Sequence, residues 1–286
     1  FGAIYHPVGI AMLVSGREKV GRVLGVNGVY GNFGVALAAL IAGALAYWIN
    51  WRAAFLIPGA LSIAVGVAFA MQVPPAPKLA QASPRAGGMA ISRNTLVRVF
   101  TILIVATIGG GVIFNATTIA MPKIFDERLT ALTQTTLGIG VLVSLVYAFA
   151  AMAQLVVGYL IDRHPLRSVF VPVVALQAPL LFLAGSMENY AMLVVALAMM
   201  FFVFGQIPIN DAMVAAYTDE KWRSRAFAVR YVMSFGASAC SVPLVAYVYA
   251  MTGDFKYLFY VLAAMSGVML AAAICMPPQV QKRAAA

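Results

Sequence analysis

FGQIPINDAMVAAYTDEKWRSRAFAV, residues 204–229, contains the end of one apolar run, a short loop dense in charge, and the start of another apolar run. The run that ends in it covers 190–216. At ~1.5 Å per residue a helix of that length spans about 40 Å, more than the ~30 Å hydrocarbon core of a bilayer. The run that follows covers 225–251. Two membrane-crossing helices joined by a basic turn are the unit from which the rest of the chain can be read.

The same unit recurs along the chain. Apolar runs predict helices near 21–47, 51–73, 97–121, 131–161, 168–187, 190–216, 225–251 and 254–276, after a shorter leading run from Phe1 to Val14. The expected fold is therefore an all-α membrane protein with eight full transmembrane helices plus one partial. No run alternates apolar and polar residues as a membrane barrel strand does. Composition agrees: 63% of residues are hydrophobic and 10% are charged, with a mean hydropathy of +0.93. Soluble domains carry about 25% charged residues, so lipid must solvate much of this surface.

The net charge of +10 raises the question of nucleic acid, and the placement of the charges answers it. Alternate loops fall on alternate sides of the membrane. Fifteen of the 19 Lys and Arg lie on one side, in 15–22, 74–98, 162–167, 217–230 and the C-terminal tail; Arg52, Lys123, Arg128 and Lys256 lie on the other. Positive charge gathers on the cytoplasmic side. The surplus thus reports orientation, with the linker and C-terminus cytoplasmic in a multi-pass inner-membrane protein, and no nucleic-acid partner is expected. Cys240 and Cys275 both lie in apolar runs and form no disulfide or metal pattern.

Residues 74–96 form the one long interruption, rich in Pro, Ala, Gly and Ser. They read as a linker between the remainder of an N-terminal bundle, 1–73, and a C-terminal six-helix bundle, 97–286. The chain also repeats. Slid by 203 residues, FGAIYHPVGIAMLVSGREKVGRVLGV (1–26) lies over 204–229 without gaps, so that Phe1 meets Phe204, Gly2 meets Gly205 and Arg22 meets Arg225. One residue of slip later, WRAAF (51–55) lies over FKYLF (255–259). If the repeat is complete, about 105 residues precede Phe1, and the whole holds two sets of six helices, as secondary transporters built from repeats do. Residues 1–286 alone are then expected not to transport.

GYLIDRHPLR, residues 158–167, resembles a cytoplasmic loop pattern of the major facilitator superfamily: Gly, three residues, Asp, a basic residue, any residue, Gly, then basic residues. Gly158, Asp162, Arg163 and Arg167 match it; Pro165 stands for the second Gly and Leu166 for a basic residue. WRAAF resembles the family's outer-turn Trp-Arg-x-x-Phe. GVYGNFGVALAALIAGAL (28–45) resembles a small-residue helix of the family's antiporters, with Gly34, Ala38 and Ala42 every fourth residue and Ala38-Ala39 in place of their Gly-Pro. The resemblance implies two six-helix halves that rock about a central site. It also implies a cytoplasmic gate at Gly158, Asp162, Arg163 and Arg167; the place of Asp162 at a helix end beside the two arginines reads either as an ion-pair latch or as a solvated turn with snorkelling cations.

Charges at membrane depth cost about 2.5–3.5 kcal/mol on insertion scales, which makes them functional candidates. Asp211 and Arg230 lie at similar distances on either side of the 217–224 loop, so an antiparallel pair of helices brings them to one depth. They are expected to form an ion pair, either static or binding solute or a proton. Gln206 and Asn210 share a helix face beside Pro208. His6 holds the equivalent place on the leading run and titrates near neutrality. Asn27, Asn32 and Asn115 add polarity to other spans. There is no phosphate loop for ATP, no dinucleotide fingerprint and no cluster of acids, bases and a nucleophile. The expected function is secondary active transport of a small organic solute, foremost proton-coupled efflux, with a proton gradient and no cofactor. Uptake of an organic anion through Arg230 is the second reading, and a non-transporting receptor or scaffold the third. A monomer in the lipid bilayer is expected.

Overall fold

The computed structural model describes residues 5–17, 19–72 and 92–277. Every regular element among them is helical. A π-helical segment, Tyr5–Gly9, runs into α1 (Ile10–Val14); α2 (Val20–Trp48), α3 (Ala53–Gln72), α4 (Arg93–Arg128), α5 (Thr136–Arg163), α6 (Leu166–Ala184), α7 (Asn189–Tyr217), α8 (Glu220–Ala239), α9 (Ser241–Thr252) and α10 (Lys256–Ile274) follow. Seven segments among the described residues are long and apolar enough to cross a membrane: α3 to α7, α8 with α9 taken together, and α10. α2 is a helix of 29 residues.

Several ends differ from the sequence reading. α4 was expected over 97–121 and runs from Arg93 to Arg128. Its first turn takes Arg93–Leu96 out of the expected linker because Ser92 caps it, accepting from Thr95 N at 3.2 Å. At the other end Pro122 lies inside the helix. The polar turns beyond it are held by Lys123 bridging to Asp126 and Glu127 at 3.2 and 3.3 Å. Residues 74–91, the body of the expected linker, lie outside the described residues. α5 begins at Thr136 rather than near 131, capped by Thr135, which accepts from Gly138 N at 3.1 Å. The helix expected over 225–251 begins at Glu220 and breaks at Cys240. Pro243 follows that break, and a proline removes a donor and crowds the carbonyl four residues earlier.

α2 packs along α5, α5 along α7, α6 along α7 and α10, and α4 against α8, α10 and α7. The core runs through this packing. α4 buries Val99, Ile102, Leu103, Ala106, Ile113, Ala116 and Ala120 on one stripe, the spacing of a helix face. α3 buries only Ala53 and turns its apolar side chains outward, as a lipid-facing helix does.

One arginine ties three helix ends together. The Arg128 side chain is 9% exposed. It donates to the carbonyls of Ala184 and Gly185 at 2.8 and 3.1 Å, where α6 ends, and to Asp254 at 2.5 Å in the turn before α10. Asp254 in turn accepts from Lys256 N at 3.1 Å. Partial burial pushes the Asp254 carboxyl up, but the bonds from Arg128 and Lys256 outweigh it and hold the group below the usual carboxylate range.

Candidate functional site

The Thr218–Asp219 turn folds α8 back along α7, and the two buried charges meet. Arg230 Nη1 donates to Asp211 Oδ1. Asp211 is 4% and Arg230 7% exposed, so each relieves the other's desolvation. Tyr231 donates its hydroxyl to the same carboxylate oxygen at 3.3 Å, and its ring lies under the Arg230 guanidinium at 4.7 Å.

The π-helical segment brings His6 to this pair from the other end of the chain. Its ring stacks on Tyr231, with centroids 4.5 Å apart and planes at 25°, and meets Phe235 edge-on at 5.8 Å. Gln206 is buried, donating to Ala106 O on α4 at 3.3 Å. Asn210 is buried beside Asp211 on α7. Asn115 joins α4 to α8, donating to Ser238 Oγ at 2.7 Å as well as to Gly111 O at 3.1 Å. Asn32 donates to Gly28 O in its own helix at 3.0 Å. Asn27 lines a separate groove of about 800 Å³ with Arg17, Lys19, Arg22 and Tyr30.

Of the residues expected to form a gate, Gly158 and Asp162 sit where α2 meets α5. Glycines make the approach close. A Cβ on Gly21 would stand 2.2 Å from Gly158 O, one on Gly25 2.4 Å from Gln154 O, and one on Gly158 2.4 Å from Gly21 O. All three distances are to backbone atoms, which cannot swing aside. Asp162 closes the end of this seam differently from the ion-pair latch expected. Its Oδ1 accepts from Gly21 N at 2.7 Å and its Oδ2 from Arg22 N at 2.8 Å. Val20 is the first residue of α2, so these are donors that a helix start leaves unsatisfied, and the carboxylate also faces the positive end of the helix dipole. Among the described residues Asp162 makes no ion pair. Arg163 lies instead over the Tyr159 ring at 4.1 Å, and Arg167 is half-buried at the start of α6. Ser15 adds a bond to Glu220 across the same end.

Asp162→Asn keeps the size of the side chain and removes its charge. Hydrogen bonds to charged groups contribute about 1.5–3 kcal/mol and neutral ones about 1. The variant is expected to fold and to switch more slowly, with transport changed by roughly tenfold at normal expression; an unchanged rate makes Asp162 a surface residue.

Tyr231, Phe235, Ser238 and Gln154 were not singled out from the sequence. Gln154 is fully buried on α5, its side chain against Gly28. Its signal was a lone amide in the apolar run AFAAMAQLVVG (148–158). Tyr231 had only its place next to Arg230.

A search of curated proteins by sequence finds no match. The structure of the Escherichia coli fucose:proton symporter, in a variant form, is similar with a TM-score of 0.71 at 13% identity, covering 96% of this chain and 74% of that one. The same symporter in an outward conformation gives 0.70 at 11% identity, covering 96% and 73%. The human organic anion transporter MFSD10 gives 0.70 at 17% identity, covering 93% and 67%. At these identities the likeness establishes a shared fold. The sequence model for the Major Facilitator Superfamily matches residues 1–205 and again 111–285. Long apolar helices, a fold held in common with solved transporters, and a family match over nearly the whole chain agree, and the protein belongs to the major facilitator superfamily of transmembrane transporters.

Proposed function

We propose that the protein moves a small organic solute across the inner membrane by alternating access, coupled to protons at the Asp211–Arg230 pair. The supporting observation is that pair, buried in α7 and α8 and reached by His6 from the opposite end of the chain. Residues 1–73 and 97–286 act as the remnant of one bundle and a whole second bundle around the linker 74–96, with eight full spans plus one partial. The linker and C-terminus lie in the cytoplasm, and the unit is a monomer. His6, Gln206, Asn210, Asn27, Asn32 and Asn115 line the solute and proton path; Gly158, Asp162, Arg163 and Arg167 form the cytoplasmic gate. The early helices repeat the late ones in order: α2 and α8 begin at Val20 and Glu220, α3 and α10 at Ala53 and Lys256. Relatives described as a fucose:proton symporter and an organic anion transporter lend proton coupling and an organic solute to this reading. Efflux is the first direction in this reading, and uptake of an organic anion through Arg230 the second.

The test is transport by the full-length protein in proteoliposomes that carry a pH-sensitive dye. Carboxylates, sugars and amines are offered in turn. At least one is expected to move together with a change in internal pH, and Asp211→Asn to uncouple the two. Flux without proton movement would remove the coupling. Absence of any flux would favour a receptor or scaffold.

A further inference from the structure

Gln154 brings an unsatisfied amide into the α2–α5 seam. It is fully buried, at 0% exposure, and neither Oε1 nor Nε2 has a hydrogen-bond partner among the described residues. Turning the amide over leaves the same shortage. The seam grips this residue twice. A Cβ on Gly25 would stand 2.4 Å from its backbone O, and one on Gly28 1.5 Å from its Oε1. The side-chain oxygen is therefore aimed at the hydrogen that stands in for a side chain on Gly28, which is a weak partner. Asn32, one turn further along α2, spends its Nδ2 on Gly28 O at 3.0 Å.

A buried amide without partners is costly. In this seam the cost depends on conformation. With α2 against α5 the amide is shut away from water. Once the cytoplasmic ends of the two helices part, water reaches both of its polar atoms. Unmade bonds of this kind weigh against the closed seam by roughly 5- to 150-fold. Asp162 acts in the other direction at the end of the same helix. Its carboxylate takes the N–H groups of Gly21 and Arg22 across the closed seam, and bonds to a charged acceptor favour closure by a factor of the same order. The two residues lie about two turns apart on α5, ~12 Å, and share no hydrogen-bond partner. A methionine or leucine at position 154 would fill the space without the polar cost, so packing alone does not call for an amide.

We propose that Gln154 is a positioning residue for the conformational cycle: its unpaired amide destabilises the closed α2–α5 seam, opposes the hold of Asp162, and keeps the closed and open forms in exchange. This rests on reading the seam as a gate that opens, and goes beyond it by naming the group that prevents the gate from staying shut.

Spin labels on Lys19→Cys and His164→Cys measure the seam in the full-length protein in lipid nanodiscs, with Cys240 and Cys275 changed to Ser. Gln154→Met is expected to move the population toward the short distance by roughly tenfold, and Gln154→Leu to do the same. Asp162→Asn moves it toward the long distance. The double variant of Gln154→Met with Asp162→Asn returns close to the parent, because effects at well-separated sites add; a residue that only fills space would not offset the loss of a carboxylate two turns away. Unchanged or longer distances in the folded apolar variants, with Asp162→Asn still opening the seam, overturn the role of Gln154 and leave the gate standing. A double variant that matches Asp162→Asn alone overturns the opposition between the two residues. Distances unmoved in every variant overturn the gate reading itself. Failure of both apolar variants to fold would mean that the fold needs the amide, and overturns the proposal as well.

Discussion

Asp211→Asn is expected to destabilise the protein by about 3–5 kcal/mol, because it leaves the Arg230 guanidinium buried beside a neutral amide. Arg230→Gln should do comparable damage from the other side. The double variant is expected to recover most of the loss, since replacing both partners of a buried pair can be nearly neutral. Thermal unfolding of the three variants in detergent measures this directly. The geometry makes the demand specific: both side chains are under a tenth exposed, and the hydroxyl of Tyr231 adds one polar contact to the carboxylate. Transport by a well-folded double variant then separates two roles. If transport is lost, the pair serves function as well as structure. Single variants as stable as the parent would mean that water or another group satisfies the charges, and the pairing would lose its energetic meaning.

Gly25→Ala and Gly158→Ala are expected to hold the α2–α5 seam apart. Each new methyl group would fall 2.4 Å from a backbone carbonyl oxygen of the facing helix. The helices must separate, and overpacking of this kind costs roughly 1–3 kcal/mol. That cost falls only on conformations in which the seam is closed, so it shifts the balance between closed and open by about tenfold or more. Spin labels at the exposed positions Lys19 and His164 should report a longer mean distance in both variants, with transport slowed to a similar degree. Gly28→Ala should be milder, because its new methyl group meets the end of the Gln154 side chain rather than backbone. Unchanged distances in Gly25→Ala and Gly158→Ala would mean that the seam does not move.

The membrane spans were legible because lipid leaves little choice. A run of twenty or so apolar residues must be helical to satisfy its own backbone groups. The ends were less legible, because hydropathy records apolarity, whereas a helix continues for as long as its hydrogen bonds do. Arg93–Leu96 and Lys123–Arg128 are polar and helical, held by a serine cap in one case and by local ion pairs in the other. Asp211 and Arg230 could be paired from sequence because two costly charges stood at matched distances from one loop. Gln154 was passed over because an amide raises no such alarm, although the structure buries it completely. The partner of Asp162 had no signature at all. The sequence suggested an arginine, and the structure supplies two backbone N–H groups of α2.

That last contact carries an evolutionary consequence. A carboxylate that grips main-chain amides asks nothing of the side chain opposite, and any residue but proline can present the N–H at position 22. The two helices then drift at unequal rates. Substitutions at Asp162 are expected to be purged. At Arg22 they are expected to accumulate, because only its main-chain N–H is used. Position 21 is held to glycine by crowding from Gly158 rather than by the hydrogen bond it donates. Among descendants of this chain, this contact would leave no pair of positions that change together. A search for correlated substitutions would miss it, and the surviving mark would be a single invariant acid on α5.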